Sequence, residues 1–192
     1  MADSDANAAL LDSPSARVSR PGHLLTIQEV PAWYDANEFI LTGYRAASDS
    51  VIKSLTSWAY LHNESCNIYS HLIPAVGTIL GKGFLYSYLT AQYPESTSWD
   101  ISMFLLHLLT VEVCMVASVT YHNLNNHSGP VADLCLTCDY VGIVTLILGD
   151  FISGLYFGFY CEPTLQITYC VAVRLFPTPG TGGVGDLGRI PN

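Results

Sequence analysis

The sequence has 192 residues, of which 12% are charged and 50% are hydrophobic, and its formal net charge is −9. Soluble globular domains carry about 25% charged residues, so the low charge content argues against a soluble fold. Nucleic-acid binding requires clustered cations, and seven Lys and Arg in an acidic chain argue against it.

The charged residues are especially scarce in the middle of the chain. The stretch from Ser54 to Val173 contains nine of them, namely Glu64, Lys82, Glu95, Asp100, Glu112, Asp133, Asp139, Asp150 and Glu162. A segment of this length with so few charges cannot present a water-soluble surface, so we expect it to lie in a membrane.

The N-terminal part of the chain divides into two regions. Residues 1–22 are rich in Ala, Ser, Asp and Pro and lack apolar periodicity, which predicts a disordered tail. Residues 23–66 interleave aromatic and charged side chains, which predicts a cytoplasmic juxtamembrane region of one or two interfacial helices. His62, in this region, is expected at the surface.

Three apolar stretches follow, each long enough for the roughly 20 residues that a membrane-crossing helix needs. The predicted transmembrane domain covers residues 67–170, with spans at about 67–89, 99–121 and 135–159 and the start of a fourth. Residues 171–192 are rich in Pro and Gly and are predicted to be a divergent tail. The fold class is therefore an all-α, polytopic transmembrane helical bundle.

The basic residues predict the orientation of the bundle. Arg17, Arg20, Arg45 and Lys53 precede the first span, whereas the two loops between the spans contain no Lys or Arg. By the positive-inside rule, we expect an integral protein of the plasma membrane or an endomembrane with a cytoplasmic N-terminus.

Polar residues in the three spans gather near the cytoplasmic end. Glu64, Asn67 and His71 share one helical face, and Ser118 and His122, four residues apart, share another. Asp139 lies near the start of the third span. Since ionisable residues in a membrane are costly, we expect these side chains to form one functional cluster.

Imidazole and carboxylate groups that converge in an apolar bundle suit Zn²⁺. Ser118 and Asp139 would then orient a ligand or a bound water. Three simpler interpretations stay open: each residue can be a helix–helix hydrogen-bond partner, the Glu64 group an interfacial polar collar, and His122 with Asp139 a structural pair. Of the remaining polar residues, we expect His107 to pack or line a cavity, Glu112 to meet a neighbouring helix and Lys82 to reach toward the membrane surface.

The sequence resembles the progestin and adipoQ receptor family, also called the haemolysin III family, which includes the adiponectin receptors. The matching stretches are Pro31 to Arg45 (PAWYDANEFILTGYR), His62 to Leu72 (HNESCNIYSHL), Ser118 to His122 (SVTYH) and Asp139 to Ile143 (DYVGI). Four motifs in this order make the resemblance specific.

The resemblance implies a seven-helix membrane protein with a cytoplasmic N-terminus and a zinc site near the cytoplasmic face. It implies that His122 is a zinc ligand, that Asp139 and Ser118 act in catalysis, and that Glu64, Asn67 and His71 are supporting residues. The implied function is that of a receptor or a ceramidase-like lipid-amide hydrolase, linked to lipid and zinc homeostasis. Its partners would be membrane lipids such as ceramide and a protein that binds the cytoplasmic N-terminal segment.

The family completes its zinc site with an H-x-x-x-H pair on the seventh helix, and this sequence contains no such pair. We therefore expect a C-terminally truncated relative, with three helices, a stub of a fourth, an incomplete set of zinc ligands and no hydrolytic activity of its own. The alternatives are a non-catalytic receptor or sensor with a structural metal, and a channel-like protein that would use His107, Glu112 and Asp150.

Overall fold

The computed structural model describes residues 23–175. The chain begins with a small two-stranded sheet, β1 (Leu24–Thr26) and β2 (Thr42–Arg45), followed by a short helix, α1 (Val51–Thr56), and a 3₁₀ turn (Ser57–Ala59). Three long helices then form the body of the molecule: α2 (Ser65–Gln92), α3 (Ser98–Leu124) and α4 (Gly129–Gly158). A shorter helix, α5 (Pro163–Leu175), follows them.

Each of the helices α2, α3 and α4 is long and apolar enough to cross a membrane. The predicted fold class, an all-α polytopic membrane bundle, is thereby confirmed. The helix α3 is central, because it packs against α2 on one side and more extensively against α4 on the other. Most of the large apolar side chains on α2 and α4 are exposed in the isolated chain, as expected for surfaces that face lipid, whereas most of those on the central α3 are buried or half-buried.

The close contact between α3 and α4 depends on two glycines of α4. A Cβ atom added at Gly142 would lie 3.1 Å from Ala117 Cβ and from Cys114 Cα, and one at Gly149 would collide with the Thr110 side chain. At the other end of the bundle from His122, the Tyr156 hydroxyl donates a hydrogen bond of 2.7 Å to Asp100, the residue that also completes the N-terminal capping box of α3. These contacts fix α4 along the length of α3.

Residues 24–60 form what we call the pre-membrane segment. The strands β1 and β2 are antiparallel, with a register shift after Leu25, and Leu25, Tyr34 and Tyr44 form a small buried core. The rings of Tyr34 and Tyr44 meet edge to face, with centroids 5.8 Å apart. Gly43, in β2, has a φ of 95°, which is strained for any residue with a side chain.

The prediction of interfacial helices over residues 23–66 is therefore wrong for its first half, because Leu24–Thr26 and Thr42–Arg45 are strands and the residues between them form turns and a loop. Pro31 and Gly43 both disfavour a helix interior. The helical part is limited to α1 and the 3₁₀ turn.

The C-terminal region also differs from its prediction. The Pro/Gly-rich tail was expected to start at residue 171, but α5 continues through Leu175. The predicted N-terminal tail, residues 1–22, and residues 176–192 of the predicted C-terminal tail lie outside the described residues.

Candidate functional site

The functional candidates meet at the end of the bundle where α2 begins and α3 ends, which we call the His122 end. Glu64 immediately precedes α2, and His122 lies in the last turn of α3. The Nδ1 atom of His122 is 2.8 Å from Glu64 Oε2. Two amides also donate to the carboxylate of Glu64, Asn67 at 2.9 Å and Asn63 at 2.8 Å.

The charge of Glu64 decides which tautomer His122 adopts. Burial acts to raise the pKa of Glu64, but the hydrogen bonds from His122 and Asn67 outweigh burial and lower the pKa below its ordinary value. An ionised carboxylate only accepts hydrogen bonds, so Nδ1 of His122 carries the proton. When the ring is neutral, Nε2 is then the nitrogen with a free lone pair.

His71 and Ser118 form the second contact of the cluster. His71 Nδ1 lies 2.7 Å from the Ser118 hydroxyl oxygen, which is buried between α2 and α3. The rings of His71 and His122 are 6.3 Å apart between centroids. The structure thus brings Glu64, Asn67, His71, Ser118 and His122 into one polar cluster that joins α2 to α3.

Asp139 occupies a different position from the other candidates. It lies ten residues into α4 and lines a cavity of about 460 Å³ that Glu64, Asn67 and His122 also line. Among the described residues, no hydrogen bond joins Asp139 to His122 or to Ser118. Asp139 therefore lines the same cavity as His122 without a hydrogen bond to it among the described residues.

The lining of this cavity includes residues that sequence reasoning missed. Six polar residues contribute to it besides the predicted ones, and none of the lining residues is Lys or Arg; the six are Asp35, Asn37, Tyr44, Asn63, Tyr121 and Tyr140. Asp35 and Asn37 belong to the loop that precedes β2, where the sequence predicts an interfacial helix. The wall of the cavity is therefore rich in hydrogen-bond acceptors and carries no fixed positive charge.

The side chains fit a zinc site only in part. A histidine that binds a metal through one nitrogen usually donates its other N–H to a carboxylate, and the Glu64–His122 contact has this form. However, no group of three or more His, Cys, Asp or Glu side chains within residues 23–175 is placed to hold a metal ion. His122 can supply one ligand, and the described residues do not complete the set.

His62 is buried, with 9% of its surface exposed, and the expectation that it lies at the surface is wrong. Its Nδ1 accepts a hydrogen bond of 3.1 Å from the backbone N–H of Glu64, and its Nε2 lies 3.3 Å from Ser57 Oγ. Burial and the neighbouring Arg45 charge lower the pKa of His62 from 6.5 to about 4. The neutral ring therefore helps to hold the start of α2.

This burial predicts a pH dependence of stability. Because His62 takes up a proton more readily in the unfolded chain than in the folded one, its contribution is fully present above pH 6.5 and is lost progressively toward pH 4. We expect the unfolding temperature of the chain in micelles to fall over this range. The variant His62→Gln is expected to show a smaller fall in unfolding temperature, because glutamine does not take up a proton in this pH range. An equal fall in both proteins would contradict the assignment.

The other intramembrane polar residues form two pairs. Lys82 Nζ lies 2.6 Å from Glu112 Oε2, so Lys82 does not reach toward the membrane surface but joins α2 to α3. His107 Nδ1 lies 2.9 Å from Asp150 Oδ1 and joins α3 to α4. Both pairs lie deeper in the bundle than the cluster at the His122 end.

Comparisons with known proteins place these motifs in a family. The family model described as "Haemolysin-III related" matches residues 59–180. The chain is 39% identical over 140 residues to the ADIPOR-like receptor IZH2 of Saccharomyces cerevisiae, a match that covers 71% of this chain and 43% of that protein.

Two further relatives give the same picture. The ADIPOR-like receptor IZH1 of Eremothecium gossypii is 36% identical over 157 residues, or 78% of this chain and 50% of the relative. The progestin and adipoQ receptor-like protein 1 of Caenorhabditis elegans is 32% identical over 153 residues, or 79% of this chain and 34% of the relative. The chain thus matches a third to a half of the length of these curated relatives.

Proposed function

Because this chain belongs to the haemolysin III family of adiponectin-receptor-like membrane proteins, we propose that it is a receptor-type membrane protein whose cavity at the His122 end binds the polar head of a lipid. The observation that carries this proposal is the contact between Glu64 and His122 at the wall of a cavity that Asp139 also lines. In the proposed orientation, this end of the bundle faces the cytoplasm.

The chemistry of the cavity wall supports a particular class of lipid. The three carboxylates, Asp35, Glu64 and Asp139, and the absence of Lys and Arg from the lining disfavour an anionic head group such as a phosphate. A head group with hydroxyl and amide donors, as in ceramide, would find acceptors on all sides. We therefore propose a neutral lipid amide as the ligand.

We also propose that His122 is one ligand of a Zn²⁺ ion. When bound, zinc would act as a Lewis acid toward a lipid carbonyl or a water molecule. The chain's own residues contribute the orientation of the ring: Glu64 fixes the Nδ1–H tautomer, and His71 with Ser118 packs beside it. The remaining ligands are not supplied by the described residues, so zinc binding by this chain alone should be weak.

Zinc content tests this part of the proposal. Purified chain, loaded with zinc and passed through gel filtration, is expected to retain less than one zinc per chain by atomic emission, and His122→Ala is expected to retain about tenfold less than the unaltered chain. The matched control is His127→Ala, which removes a ring whose Nδ1 lies 3.1 Å from the hydroxyl oxygen of Ser128, outside the cluster around His122, and should leave the zinc content unchanged. Equal zinc in the His122→Ala protein would refute the ligand assignment.

A second candidate function is a non-catalytic sensor with a structural metal. The observation that favours it is the pairing of Ser118 with His71, which engages the hydroxyl that a hydrolase would use. Labelled ceramide in nanodiscs distinguishes the two functions. Release of the fatty acid that Asp139→Asn abolishes supports hydrolysis, whereas binding that Asp139→Asn weakens, without release, supports the sensor.

The channel hypothesis has less support. It relied on His107, Glu112 and Asp150, and each of these side chains is engaged in a close polar contact between two helices, Glu112 with Lys82 and His107 with Asp150. A measured ion flux through liposomes that contain the chain would support the channel hypothesis.

A further inference from the structure

The pre-membrane segment contains a buried arginine whose contacts end at the functional site. Arg45, the last residue of β2, is 1% exposed. No salt bridge joins it to a carboxylate within residues 23–175. Its guanidinium instead donates to four oxygens: the hydroxyl of Ser57 at 2.9 Å, the side-chain carbonyl of Asn125 at 2.7 Å, and the backbone carbonyls of His122 at 2.7 Å and Asn123 at 3.0 Å.

Two of these acceptors belong to the last turn of α3. The final carbonyl groups of a helix have no partner within the helix, and a cation at this end is also favoured by the helix dipole. Arg45 both donates hydrogen bonds to these carbonyl groups and places a positive charge at the C-terminal end of α3. Its contact with the carbonyl of His122 fixes the backbone of the same residue whose ring meets Glu64.

The strand β2 also holds the other member of the Glu64–His122 pair. The backbone N–H of Asn63, the residue before Glu64, donates a hydrogen bond of 2.9 Å to the carbonyl of Gly43. Gly43 and Arg45 are two residues apart on β2. One strand therefore sets the spacing between the start of α2, which carries Glu64, and the end of α3, which carries His122.

We infer that Arg45 is the positioning residue of the His122 site, and that β2 acts as a clamp that sets the contact between Glu64 and His122. This inference rests on the proposed function, because it concerns the residues that position the same site. It makes the pre-membrane segment part of the site, since a strand that precedes the long helices sets the contact between the start of α2 and the end of α3.

Lysine cannot replace arginine in this role. Lysine keeps the charge but presents a single nitrogen, whereas the planar guanidinium reaches four oxygens on two sides. Other contacts keep the pre-membrane segment attached when Arg45 changes: Trp58 Nε1 donates to Asn123 Oδ1 at 2.8 Å, and Asn126 Nδ2 donates to the carbonyl of Ala46 at 3.0 Å. The change from arginine to lysine should therefore alter the site more than it alters the fold.

The test follows the histidine ring signals of the full chain in nanodiscs by ¹³C–¹H NMR, at fixed pH and with a chelator present. His122→Ala identifies the signal of His122, and Glu64→Gln gives its position when the carboxylate is lost. We expect Arg45→Lys to move the His122 signal toward the position in Glu64→Gln, while the signal of His107, deeper in the bundle, stays in place.

The matched control is Leu25→Ala, which weakens the core of the same segment without removing a hydrogen bond to α3. It is expected to lower the unfolding temperature and to leave the His122 signal near its original position. If Arg45→Lys does not yield folded protein, Asn125→Ala removes one of the four acceptors and is expected to shift the same signal in the same direction by a smaller amount. The inference is overturned if the His122 signal does not move in the folded variant, whether that is Arg45→Lys or Asn125→Ala. It is also overturned if Leu25→Ala shifts the signal by the same amount.

Zinc retention is the second readout. Arg45→Lys is expected to reduce it about tenfold, as the loss of a group that orients a ligand does. If the unaltered chain binds no zinc while the His122 signal shifts as expected, the proposed zinc site fails and the positioning role stands. If zinc binds normally in Arg45→Lys and the signal does not move, the positioning role fails alone.

Discussion

Replacement of Glu112 by leucine is expected to destabilise the bundle by about 3 kcal/mol. Glu112 Oε2 lies 2.6 Å from Lys82 Nζ, and both residues lie within helices long and apolar enough to cross a membrane. Loss of the carboxylate leaves the lysine charge without a partner among the described residues of an apolar region, which is the costly way to break such a pair. The free energy of unfolding in mixed micelles measures the effect.

The double variant Lys82→Met/Glu112→Leu is the informative partner of this experiment. Because it removes both charges, we expect it to recover most of the lost stability. One oxygen of Glu112 is buried without a hydrogen-bond partner among the described residues, so the pair is not fully satisfied to begin with. Glu95→Gln, in an exposed loop, should change stability by less than about 0.5 kcal/mol. A double variant as unstable as Glu112→Leu would contradict this account.

Substitution of Gly149 by alanine is expected to cost about 2 kcal/mol, because α4 lies so close to α3 that the added methyl group has no space. The new Cβ would lie 2.6 Å from Thr110 Cγ2 and 2.7 Å from Thr110 Cβ. A branched side chain that is attached this close to its backbone cannot swing away, so the helices themselves must move apart. Thermal unfolding of the chain in micelles measures the loss.

Gly154→Ala, five residues further along the same helix, is the matched control. A Cβ atom at Gly154 would meet no atom within 4 Å, and alanine has the higher helix propensity by up to about 1 kcal/mol. We therefore expect Gly154→Ala to be neutral or stabilising. Equal losses in the two variants would mean that the effect is a property of glycine in this helix and not of its contact with Thr110.

The pH and mutational predictions concern two different parts of the molecule. The intramembrane pairs and glycine contacts hold the helices together, and their loss should change stability without changing the chemistry at the His122 end. His62 and Arg45 lie outside the long helices and connect the pre-membrane segment to that end. Changes there should alter the site as well as the stability.

Much of the membrane architecture follows from the sequence. Three long apolar stretches are sufficient to predict three helices, because lipid offers no alternative partner for the backbone. The spacing of Glu64, Asn67 and His71, and of Ser118 and His122, places each set on one helical face through the period of the α-helix. Motif order then gives the family, since each element lies where the family has it.

Other features of the site could not be derived in this way. The partner of His122 is Glu64, the partner of Ser118 is His71, and Asp139 faces the cavity without a hydrogen bond to either group. Helical periodicity assigns a residue to a face, but it does not give the rotation of one helix against the next. Pairing across helices depends on that rotation, which packing sets.

The sequence by itself determined the membrane-crossing helices and the end of the bundle at which the polar residues gather, because hydropathy and helical spacing are local properties of the chain. Only the tertiary structure decided that Leu24–Thr26 pairs with Thr42–Arg45, that His62 is buried and that Arg45 reaches from β2 to the end of α3. The physical reason is that a buried guanidinium is stable only where its acceptors converge, and three of the four acceptors of Arg45 belong to residues 77 to 80 positions away in the chain.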